Sequence, residues 1–566
     1  MFLSGLRATT EPGITIIIAA TFCVLASVWP RQSERLFRFA ERWLCKSAIR
    51  RGLAVLVTFL AVLAVRLALL PFLRVPNPGI ADEFSYLLMS DTFVHGRLAN
   101  PAHPMWKSFE TFHLIWLPTY ASKYPPAQGA ILAVGQLLGH PWIGVLLSVA
   151  AMCALTVWAL QAWMPSRWAL LAGLLVAGKL CIASYWINSY WGGAVAGAAG
   201  ALVVGALGRL LRRAGVANAI LLAVGVAILA NSRPYEAIFF CIPPGVAFFR
   251  WLVRKKEGAG ARALRWRLVF VPAATILLAT VAWMGYYNWR VTSSPLVTPY
   301  ALYLRTYDRS ALFIWQMPKQ PQPYGSLELD AMYNKFERFH YRRTWEDLKA
   351  VSLEKVLRCN TTFAWPALIF VLPALLFVDR DKRVRLLVLT LLATLAAFVV
   401  TTWSFPHYIA PATCLIFGMV VQGIRHLRTM RVFKRPIGAA LSRALVVALL
   451  VDATLLAAHG ANDPLGWGGW GLSDRADIQD KLEAAPGKHL VMVHYVGHHS
   501  IHEEWVYNGA DIDNSKVLWA RDLDAKHNTA LFRYFKDRKI WLVEPGEEST
   551  PLLEYRKSEF KEIPEF

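Results

Sequence analysis

Two adjacent acids, Asp82 and Glu83, open a polar segment directly after an early apolar run. A carboxylate in this position can act as a general base that takes a proton from an acceptor hydroxyl. A second acid beside it can hold a cation or change the pKa of the first. The simpler interpretation is a solvated helix start, since acids are favourable at helix N-termini. The pair alone leaves both interpretations open.

Three basic side chains have the chemistry to bind a phosphate. Lys123 lies in KYPPAQG, where two prolines set a rigid turn and the lysine offers a point charge. Arg233 lies between two apolar segments, where a charge is costly and indicates function, and its guanidinium matches phosphate geometry. Arg290 lies at the end of another apolar segment. The alternatives are an interfacial lysine, an Arg233–Glu236 ion pair, and an interface anchor or cap at Arg290.

Aromatic and polar side chains accompany these cations in short turns between apolar segments. The turns are YWINSYWGG (185–193), NSRPYE (231–236) and SFPHYIAP (404–411). Sugars stack on aromatic rings, so these segments could line a sugar-binding cavity. We expect the lining to include Tyr124, Tyr190, Trp191, Tyr235, Glu236 and His407.

A histidine-rich segment near the C-terminus is the clearest place to look for a metal. It reads HYVGHHSIHEEWVYNGADID (494–513), and its spacing matches no standard ligand set, including HExxH. We therefore expect these side chains to pack a small domain. At the acidic pair, metal dependence is left open, with a divalent cation such as Mg²⁺ or Mn²⁺ as the candidate. Seven cysteines without a CxxC pair indicate neither a disulfide framework nor a zinc site.

The elements that must position these residues are membrane-spanning helices. Of the 566 residues, 56% are hydrophobic and 17% charged, whereas a soluble domain carries about 25% charged residues. Many apolar runs approach the roughly 20 residues that cross a bilayer. The sequence predicts an α-helical polytopic membrane protein with about twelve transmembrane helices. The predicted spans are 14–30, 53–72, 142–163, 168–186, 193–210, 218–231, 236–250, 267–287, 363–378, 384–402, 407–424 and 438–458.

The distribution of basic residues predicts the orientation. The formal net charge is +22, and Lys and Arg are concentrated in short runs between apolar segments. This pattern is typical of cytoplasmic loops and argues against a nucleic-acid partner. If loop 31–51 is cytoplasmic, alternation puts every basic cluster between spans on the same side. The loops 73–141 and 288–362 and the tail then lie on the extracytoplasmic side, together with the candidate site residues.

The composition divides the chain into three parts. Residues 1–52 hold the first span and a basic loop, and 53–458 form the transmembrane core. The tail, 459–566, contains the strand-like runs HLVMVHYV (489–496) and KIWLVEP (539–545) with helix-like stretches between them. It is long enough for a small extracytoplasmic α/β domain.

This combination resembles the GT-C superfamily of lipid-phosphate-sugar-dependent glycosyltransferases, and within it the protein O-mannosyltransferase and aminoarabinose transferase branch. The resemblance lies in the acidic pair Asp82 and Glu83, the Lys-x-Pro-Pro element at Lys123, the sequence HYIAP (407–411), and an outer domain after a membrane core. It covers roughly residues 50–425. Two departures are Tyr124, which interrupts the Lys-Pro-Pro of the family, and the extra span 14–30.

The resemblance implies a reaction and roles for individual residues. A polyprenyl-phosphate sugar would be the donor, and Asp82 would activate the hydroxyl of a glycan, lipid or protein acceptor. Attack at the anomeric carbon would invert the configuration and release the lipid phosphate beside Lys123. Glu83 would be the second acid, whereas Arg233 and Arg290 are placed near the phosphate on chemistry alone. The implied location is the inner (plasma) membrane, among its lipids.

Two other functions are compatible with a polytopic membrane protein. A transporter or lipid flippase for envelope precursors often shows inverted repeats and helices broken near the midplane. The sequence shows no internal repeat, and its polar residues lie at helix ends. A structural partner of a cell-envelope complex would leave the positions of Asp82 and Arg233 unexplained.

Overall fold

The computed structural model describes residues 34–254, 258–340, 347–364, 382–403, 405–431, 437–460, 472–496, 499–546 and 550–555, with four residues before them. These residues form two compact units. The first unit takes its residues from 1–75, 144–282 and 344–469, and the second from 76–143, 283–343 and 470–566.

The first unit is helical. Its apolar helices lack the continuous polar face of a helix on the surface of a soluble protein. This is expected of segments that are surrounded by lipid or by other apolar helices. Two of the helices below, Pro141–Leu160 and Val271–Thr292, run across the boundary between the units. The helices are Glu34–Ile49, Arg51–Ala68, Pro141–Leu160, Ser166–Leu180, Ala194–Leu210, Val216–Ala230, Pro234–Leu252, Gly258–Arg265, Val271–Thr292, Leu348–Cys359, Lys382–Val399, Thr413–Leu427 and Ile437–Gly460, with π-helical turns at Trp266–Phe270 and Asn360–Ala364 and a 3₁₀ helix at Pro406–Ala412.

Within the described ranges, five helices are long and apolar enough to cross a membrane. They are Arg51–Ala68, Pro141–Leu160, Ala259–Thr292, Pro406–Leu427 and Ile437–Leu455. Ala194–Leu210, Val216–Ala230 and Val384–Val399 are shorter apolar helices. Helices coincide with ten of the twelve predicted spans, whereas 14–30 and 363–378 lie largely outside the described residues. The structure therefore supports a polytopic helical protein, and the number of twelve stays a prediction.

Close packing of small residues joins two elements of the first unit. Helix Ala194–Leu210 is rich in Gly and Ala, and it contacts the 3₁₀ helix Pro406–Ala412. A Cβ atom added at Gly200 would lie 2.0 Å from the carbonyl oxygen of Pro411. Small residues allow helix backbones in membranes to approach this closely. The segment that carries His407 is thus held against a glycine-lined helix.

The second unit combines helices with two small sheets. Strands β1, β2 and β3 (Asn100–Pro101, Leu114–Ile115 and Thr119–Ser122) form an antiparallel sheet in the order β1-β3-β2. Strands β4 (Lys488–Val493), β5 (Val517–Arg521), β6 (Arg538–Val543) and β7 (Leu553–Glu554) have the order β5-β4-β6-β7. The helical segments are Ala81–Val94, Trp106–Phe109, Pro126–Leu137, Pro299–Thr306, Leu327–Asp330, Ala331–Glu337, Arg338–His340, Ser473–Ala484 and Ala525–Tyr534.

The C-terminal sheet contains both strands predicted from the tail. The runs at 489–496 and 539–545 correspond to β4 and β6, which pair in parallel with Lys488 opposite Arg538. The strands β4 and β5 also pair in parallel, whereas β7 is antiparallel to β6. Parallel strands need a crossover connection, and helix Ala525–Tyr534 connects β5 to β6, the strands on either side of β4.

One hydrophobic core unites the segments of the second unit. Phe84 stacks on Tyr507 with ring centroids 4.3 Å apart, and Leu490 and Leu518 of the C-terminal sheet belong to the same buried cluster as Phe109. The Asp91 carboxylate accepts a hydrogen bond of 2.7 Å from the backbone N–H of Ala510. The tail thus packs on the outer loops by apolar burial and by specific polar contacts.

Candidate active site

The two acids of the predicted pair, Asp82 and Glu83, have different surroundings at the start of helix Ala81–Val94. The Glu83 carboxylate is fully buried and accepts hydrogen bonds from the backbone N–H groups of Gly79 (2.8 Å) and Ile80 (3.3 Å). These N–H groups lie just before the helix, and Glu83, the third residue of the helix, accepts from them as in a capping box. The contacts of Glu83 are those of a helix cap, and its role as a second catalytic acid stays a prediction. Asp82 keeps 24% of its side chain exposed.

The Asp82 carboxylate meets two side chains from the next segment of the same loop. The hydroxyl of Tyr124 donates to Asp82 Oδ1 at 2.5 Å, and His113 Nδ1 lies 3.4 Å from Asp82 Oδ2. The Tyr124 oxygen also lies 3.2 Å from His113 Nδ1. Because the Tyr124 hydroxyl donates its proton to Asp82, a proton on His113 Nδ1 can be donated both to the Tyr124 oxygen and to Asp82 Oδ2. We name Asp82, His113 and Tyr124 the Asp82 cluster.

The backbone of His113 is held in an unusual conformation. Its φ is +62°, in the left-handed region that non-glycine residues rarely occupy. The carbonyl accepts hydrogen bonds from Ser85 Oγ (2.8 Å) and from the Lys123 N–H (3.3 Å). The His113 N–H donates to the Tyr303 hydroxyl at 3.0 Å. Conformations of this kind persist where the surroundings fix them, and they are common at functional sites.

Lys123 lies beside this cluster, within an aromatic cage. The side chain is 7% exposed, and Nζ lies 4.3 Å from the ring centroid of Tyr303 and 5.2 Å from that of Tyr124. A third ring, that of Tyr300, is 5.8 Å away. Tyrosine rings attract an ammonium group at these distances. Pro125 and Pro126, which the sequence predicts to set a rigid turn, start helix Pro126–Leu137 shortly after Lys123.

Charges fix the protonation states in the Asp82 cluster. Burial opposes ionisation of Asp82. In the acidic range where this carboxyl would gain a proton, His113 is protonated, and its charge, that of Lys123 and the hydrogen bonds to His113 and Tyr124 outweigh the effect of burial. The pKa of the Asp82 carboxyl therefore lies well below its usual value. Burial, with the charge of Lys123 second, lowers the pKa of His113. At neutral pH the arrangement is a carboxylate beside a neutral imidazole.

Two further acids act on Lys123 and were not singled out from the sequence. Burial lowers the pKa of Lys123, whereas the charges of Glu337, Asp82 and Asp308 raise it. Burial and, second, the charge of Asp308 raise the pKa of the Glu337 carboxyl well above its usual value. Asp308 accepts hydrogen bonds from the backbone N–H and the hydroxyl of Ser310. Lys123 is therefore a buried lysine with acids and aromatic rings around it.

The remaining predicted residues belong mainly to the first unit. There, the ring of His407 lies 4.5 Å from that of Trp191, and its Nδ1 lies 3.1 Å from the hydroxyl of Tyr185. The Arg233 guanidinium carbon lies 4.4 Å from the ring centroid of Tyr408. The structure thus gathers His407 and Trp191 into one aromatic cluster of that unit, with Tyr185, which was not among the predicted site residues.

Hydrogen bonds between side chains and backbone shape the turn that carries Tyr185 and Trp191. The predicted span 168–186 is too long, since the helix ends at Leu180. The Ser184 hydroxyl donates to the Leu180 carbonyl (2.7 Å), and Asn188 Nδ2 donates to the Ala183 carbonyl (3.1 Å). Such local bonds compete with helix continuation.

Four other predicted residues have more ordinary surroundings. The Tyr235 hydroxyl donates to the Ala397 carbonyl at 3.1 Å, and Tyr190 and Glu236 are buried in the first unit. In the second unit, exposed Arg290 donates to the hydroxyl of Tyr286, one helical turn away, at 3.1 Å. These contacts neither join the four residues to the Asp82 cluster nor test their predicted roles.

The donor atoms at Asp82 do not suit a divalent cation. Mg²⁺ and Mn²⁺ take several oxygen ligands, whereas here a single carboxylate faces a phenol, an imidazole and a nearby ammonium group. Throughout the described part of the chain, no group of three or more His, Cys, Asp or Glu side chains could hold a metal.

The histidine-rich tail segment serves packing in its described part. The Glu504 carboxylate accepts hydrogen bonds from Arg521 Nη2 at 2.7 Å and from the Val506 N–H at 2.9 Å. His494 Nδ1 lies 3.0 Å from the Asp522 carboxylate, a contact that raises its pKa. His498 lies outside the described residues.

Comparisons with known proteins find distant matches among solved structures. No protein-family model and no curated protein sequence matches the chain. Among solved structures, ArnT from Cupriavidus metallidurans in the apo state matches with 14% identity, a TM-score of 0.49, and coverage of 86% of this chain and 92% of that one. AglB from Archaeoglobus fulgidus, an archaeal oligosaccharyltransferase solved with an inhibitory peptide and a dolichol-phosphate, matches with 10% identity and a TM-score of 0.38.

The match to AglB covers a smaller share of the neighbour's chain than the match to ArnT does. The alignment with AglB covers 81% of this chain but 62% of that one. An AglB structure with Zn and sulfate gives a TM-score of 0.44 at 11% identity. At these values the matches carry no argument about reaction or substrate, which must come from the site itself.

Proposed function

We propose that this chain is an integral membrane glycosyltransferase that moves a sugar from a polyprenyl-phosphate donor to an acceptor hydroxyl, with Asp82 as the general base. The observation that carries the proposal is the Asp82 cluster beside buried Lys123. A carboxylate held ionised by its neighbours can accept a proton. A lysine whose Nζ lies a few ångströms from the rings of Tyr124 and Tyr303, beside that carboxylate, can stabilise a leaving phosphate.

The proposed reaction is a single displacement. The acceptor hydroxyl gives its proton to the Asp82 carboxylate as its oxygen attacks the anomeric carbon of the donor sugar. The bond from that carbon to the phosphate oxygen breaks, and the polyprenyl phosphate leaves with the electron pair. Lys123 stabilises the charge that develops on the leaving phosphate. Because attack and departure take place on opposite faces of the carbon, the product has inverted configuration.

The location of the reaction is part of the proposal. The basic clusters between predicted spans support a cytoplasmic position for those loops. The Asp82 cluster then lies on the extracytoplasmic side of the inner (plasma) membrane, as does the tail 459–566. Arg233 and His407 are proposed to serve the donor, Arg233 through its guanidinium and His407 through the aromatic cluster around it.

Transfer by membranes that contain the full chain tests this function. A panel of radiolabelled polyprenyl-phosphate sugars is supplied with a total extract of envelope glycans, lipids and proteins as acceptor. We expect label from one donor to appear in an acceptor product, and NMR of the anomeric centre in the new linkage to show inversion. Absence of transfer from every donor, with the chain shown to be folded, would contradict the proposal.

A further inference from the structure

A cavity of about 480 Å³ lies within the second unit, apart from the Asp82 carboxylate. Its volume is typical of small-molecule sites, which range from roughly 300 to 1,000 Å³. The proposed transfer reaction does not use this cavity. Its lining includes Trp106, Glu110, Tyr303, Thr306, Tyr307 and Tyr324.

The lining combines aromatic faces with a few fixed polar groups. Glu110 is 8% exposed, and its Oε1 accepts a hydrogen bond of 2.8 Å from the Tyr307 hydroxyl. The Tyr324 hydroxyl donates to the Tyr307 carbonyl, which fixes a second ring. A pyranose has apolar C–H faces and hydroxyls around its edge. Rings beside a buried hydrogen-bonding carboxyl group therefore suit a sugar.

The titratable side chains of the lining include both acids and bases. His527 Nδ1 lies 2.7 Å from the Asp524 carboxylate. Lys107 lies close enough to Glu110 to oppose the rise that burial causes in the pKa of that carboxyl. The lining holds two basic side chains, Lys107 and His527, and two acids, Glu110 and Asp524, so it has no cluster of basic side chains for an anionic phosphate. The cavity therefore favours a neutral ligand over the phosphate end of a donor.

Tyr303 connects the cavity to the Asp82 cluster. Its ring lines the cavity, and the same ring lies 4.3 Å from Lys123 Nζ. Its hydroxyl accepts the hydrogen bond from the His113 N–H. A ligand in the cavity would thus lie next to the proposed reaction centre, separated from Lys123 by one ring.

We propose that this cavity is a subsite for a neutral sugar unit of the acceptor, adjacent to the unit whose hydroxyl reacts. The inference rests on the proposed transferase function, and it narrows the acceptor class to a glycan or glycolipid with at least two sugar units. The ring of Trp106 and the Glu110 carboxyl group bind this unit, and Tyr303 lies between it and the reacting unit.

Direct binding tests the subsite without any transfer reaction. The full chain in detergent is titrated with methyl β-glucopyranoside, methyl α-mannopyranoside and maltose, and binding is followed by saturation-transfer NMR. Trp106→Ala removes a ring from the wall, and Thr306→Trp fills the exposed rim. Trp315→Ala is the matched control, because Trp315 is 53% exposed and lies outside the lining.

We expect at least one probe to bind the wild type, about tenfold weaker binding in Trp106→Ala, and loss of binding in Thr306→Trp. Binding by Trp315→Ala should equal that of the wild type. No saturation transfer to any probe, equal binding in all four proteins, or displacement of the sugar by a Ser/Thr-containing peptide would overturn the subsite. Because no donor is used, failure of the transferase proposal would appear separately, as absent transfer with intact sugar binding.

Discussion

At the scale of single residues, His113 sets the pH dependence that we expect. Its pKa is lowered by burial and by Lys123, so the imidazole is neutral at pH 7 and gains a proton only below its ordinary value of about 6.5. Protonation would put a cation beside Asp82 and make that carboxylate a weaker base. Asp82 itself stays ionised over this range, since its pKa lies well below the usual one.

We therefore predict that kcat/KM for transfer falls as pH decreases through a value below about 6.5. In His113→Asn this acidic decline should be absent, although the overall rate is lower. Asparagine is chosen because it tolerates the left-handed backbone of position 113. A pH profile of both proteins checks the prediction, and the same decline in the variant would show that another group is responsible.

Residue types and local spacing predicted only part of the site. Asp82, Lys123 and Tyr124 stand in short, recognisable segments, and the structure brings the three together. His113 has no local motif and belongs to the cluster because its segment of the same loop folds back to Asp82 and Tyr303. Glu337 also has no local motif; it comes from a different loop and raises the pKa of Lys123. From the sequence, Asp82 and Glu83 were predicted to act as a pair. In the structure, Glu83 instead caps the start of its helix.

At the scale of elements, the close contact between Gly200 and Pro411 is open to test. A Cβ at position 200 would overlap the Pro411 carbonyl, which is backbone and cannot rotate away. We expect Gly200→Ala to destabilise the protein by about 1–3 kcal/mol. Thermal unfolding in detergent measures the loss.

Gly245→Ala provides the matched control for this substitution. Gly245 lies within helix Pro234–Leu252, and a Cβ there would meet no atom within 4 Å. Alanine is favoured over glycine inside a helix, so stability should stay equal or rise by up to about 1 kcal/mol. Equal destabilisation by both changes would mean that the contact with Pro411 is unimportant.

Hydrophobic runs predicted the elements better than their ends. Helices occupy ten predicted spans because a run of apolar residues must form backbone hydrogen bonds within itself. The end of the helix at Leu180 depends on side-chain bonds of Ser184 and Asn188, which hydropathy does not report. The strands β4 and β6 were found from β-branched and aromatic content, but their parallel pairing depends on contacts distant in sequence.

At the scale of the whole molecule, the orientation proposed from charge predicts which surfaces are accessible. Single cysteines introduced as Asp537→Cys and Arg213→Cys lie at exposed positions of the second and first units. In intact spheroplasts, a membrane-impermeant maleimide should label position 537 above the background of the unaltered chain. Position 213 should be labelled only after the membrane is permeabilised. The reverse pattern would invert the topology.

The sequence divides the chain differently from the folded molecule. Composition separates a tail, 459–566, from a membrane core, whereas the structure groups 470–566 with 76–143 and 283–343. The reason is the shared core, in which rings such as Phe84 and Tyr507 come from segments more than 400 residues apart. A linear reading of composition does not show such pairs. We propose that the tail on the extracytoplasmic side supports the loop that carries Asp82.

The most direct test of the account is the rate of sugar transfer by Asp82→Asn. Asparagine keeps the size of the side chain and can still accept the Tyr124 hydrogen bond, but it cannot act as the base. We predict a loss of about 10²–10⁴ in transfer rate with unchanged insertion and thermal unfolding. Asp537→Asn, at an exposed position 65% accessible in its side chain, should transfer at the wild-type rate. Transfer by Asp82→Asn near the wild-type rate would contradict the assignment of Asp82 as the base.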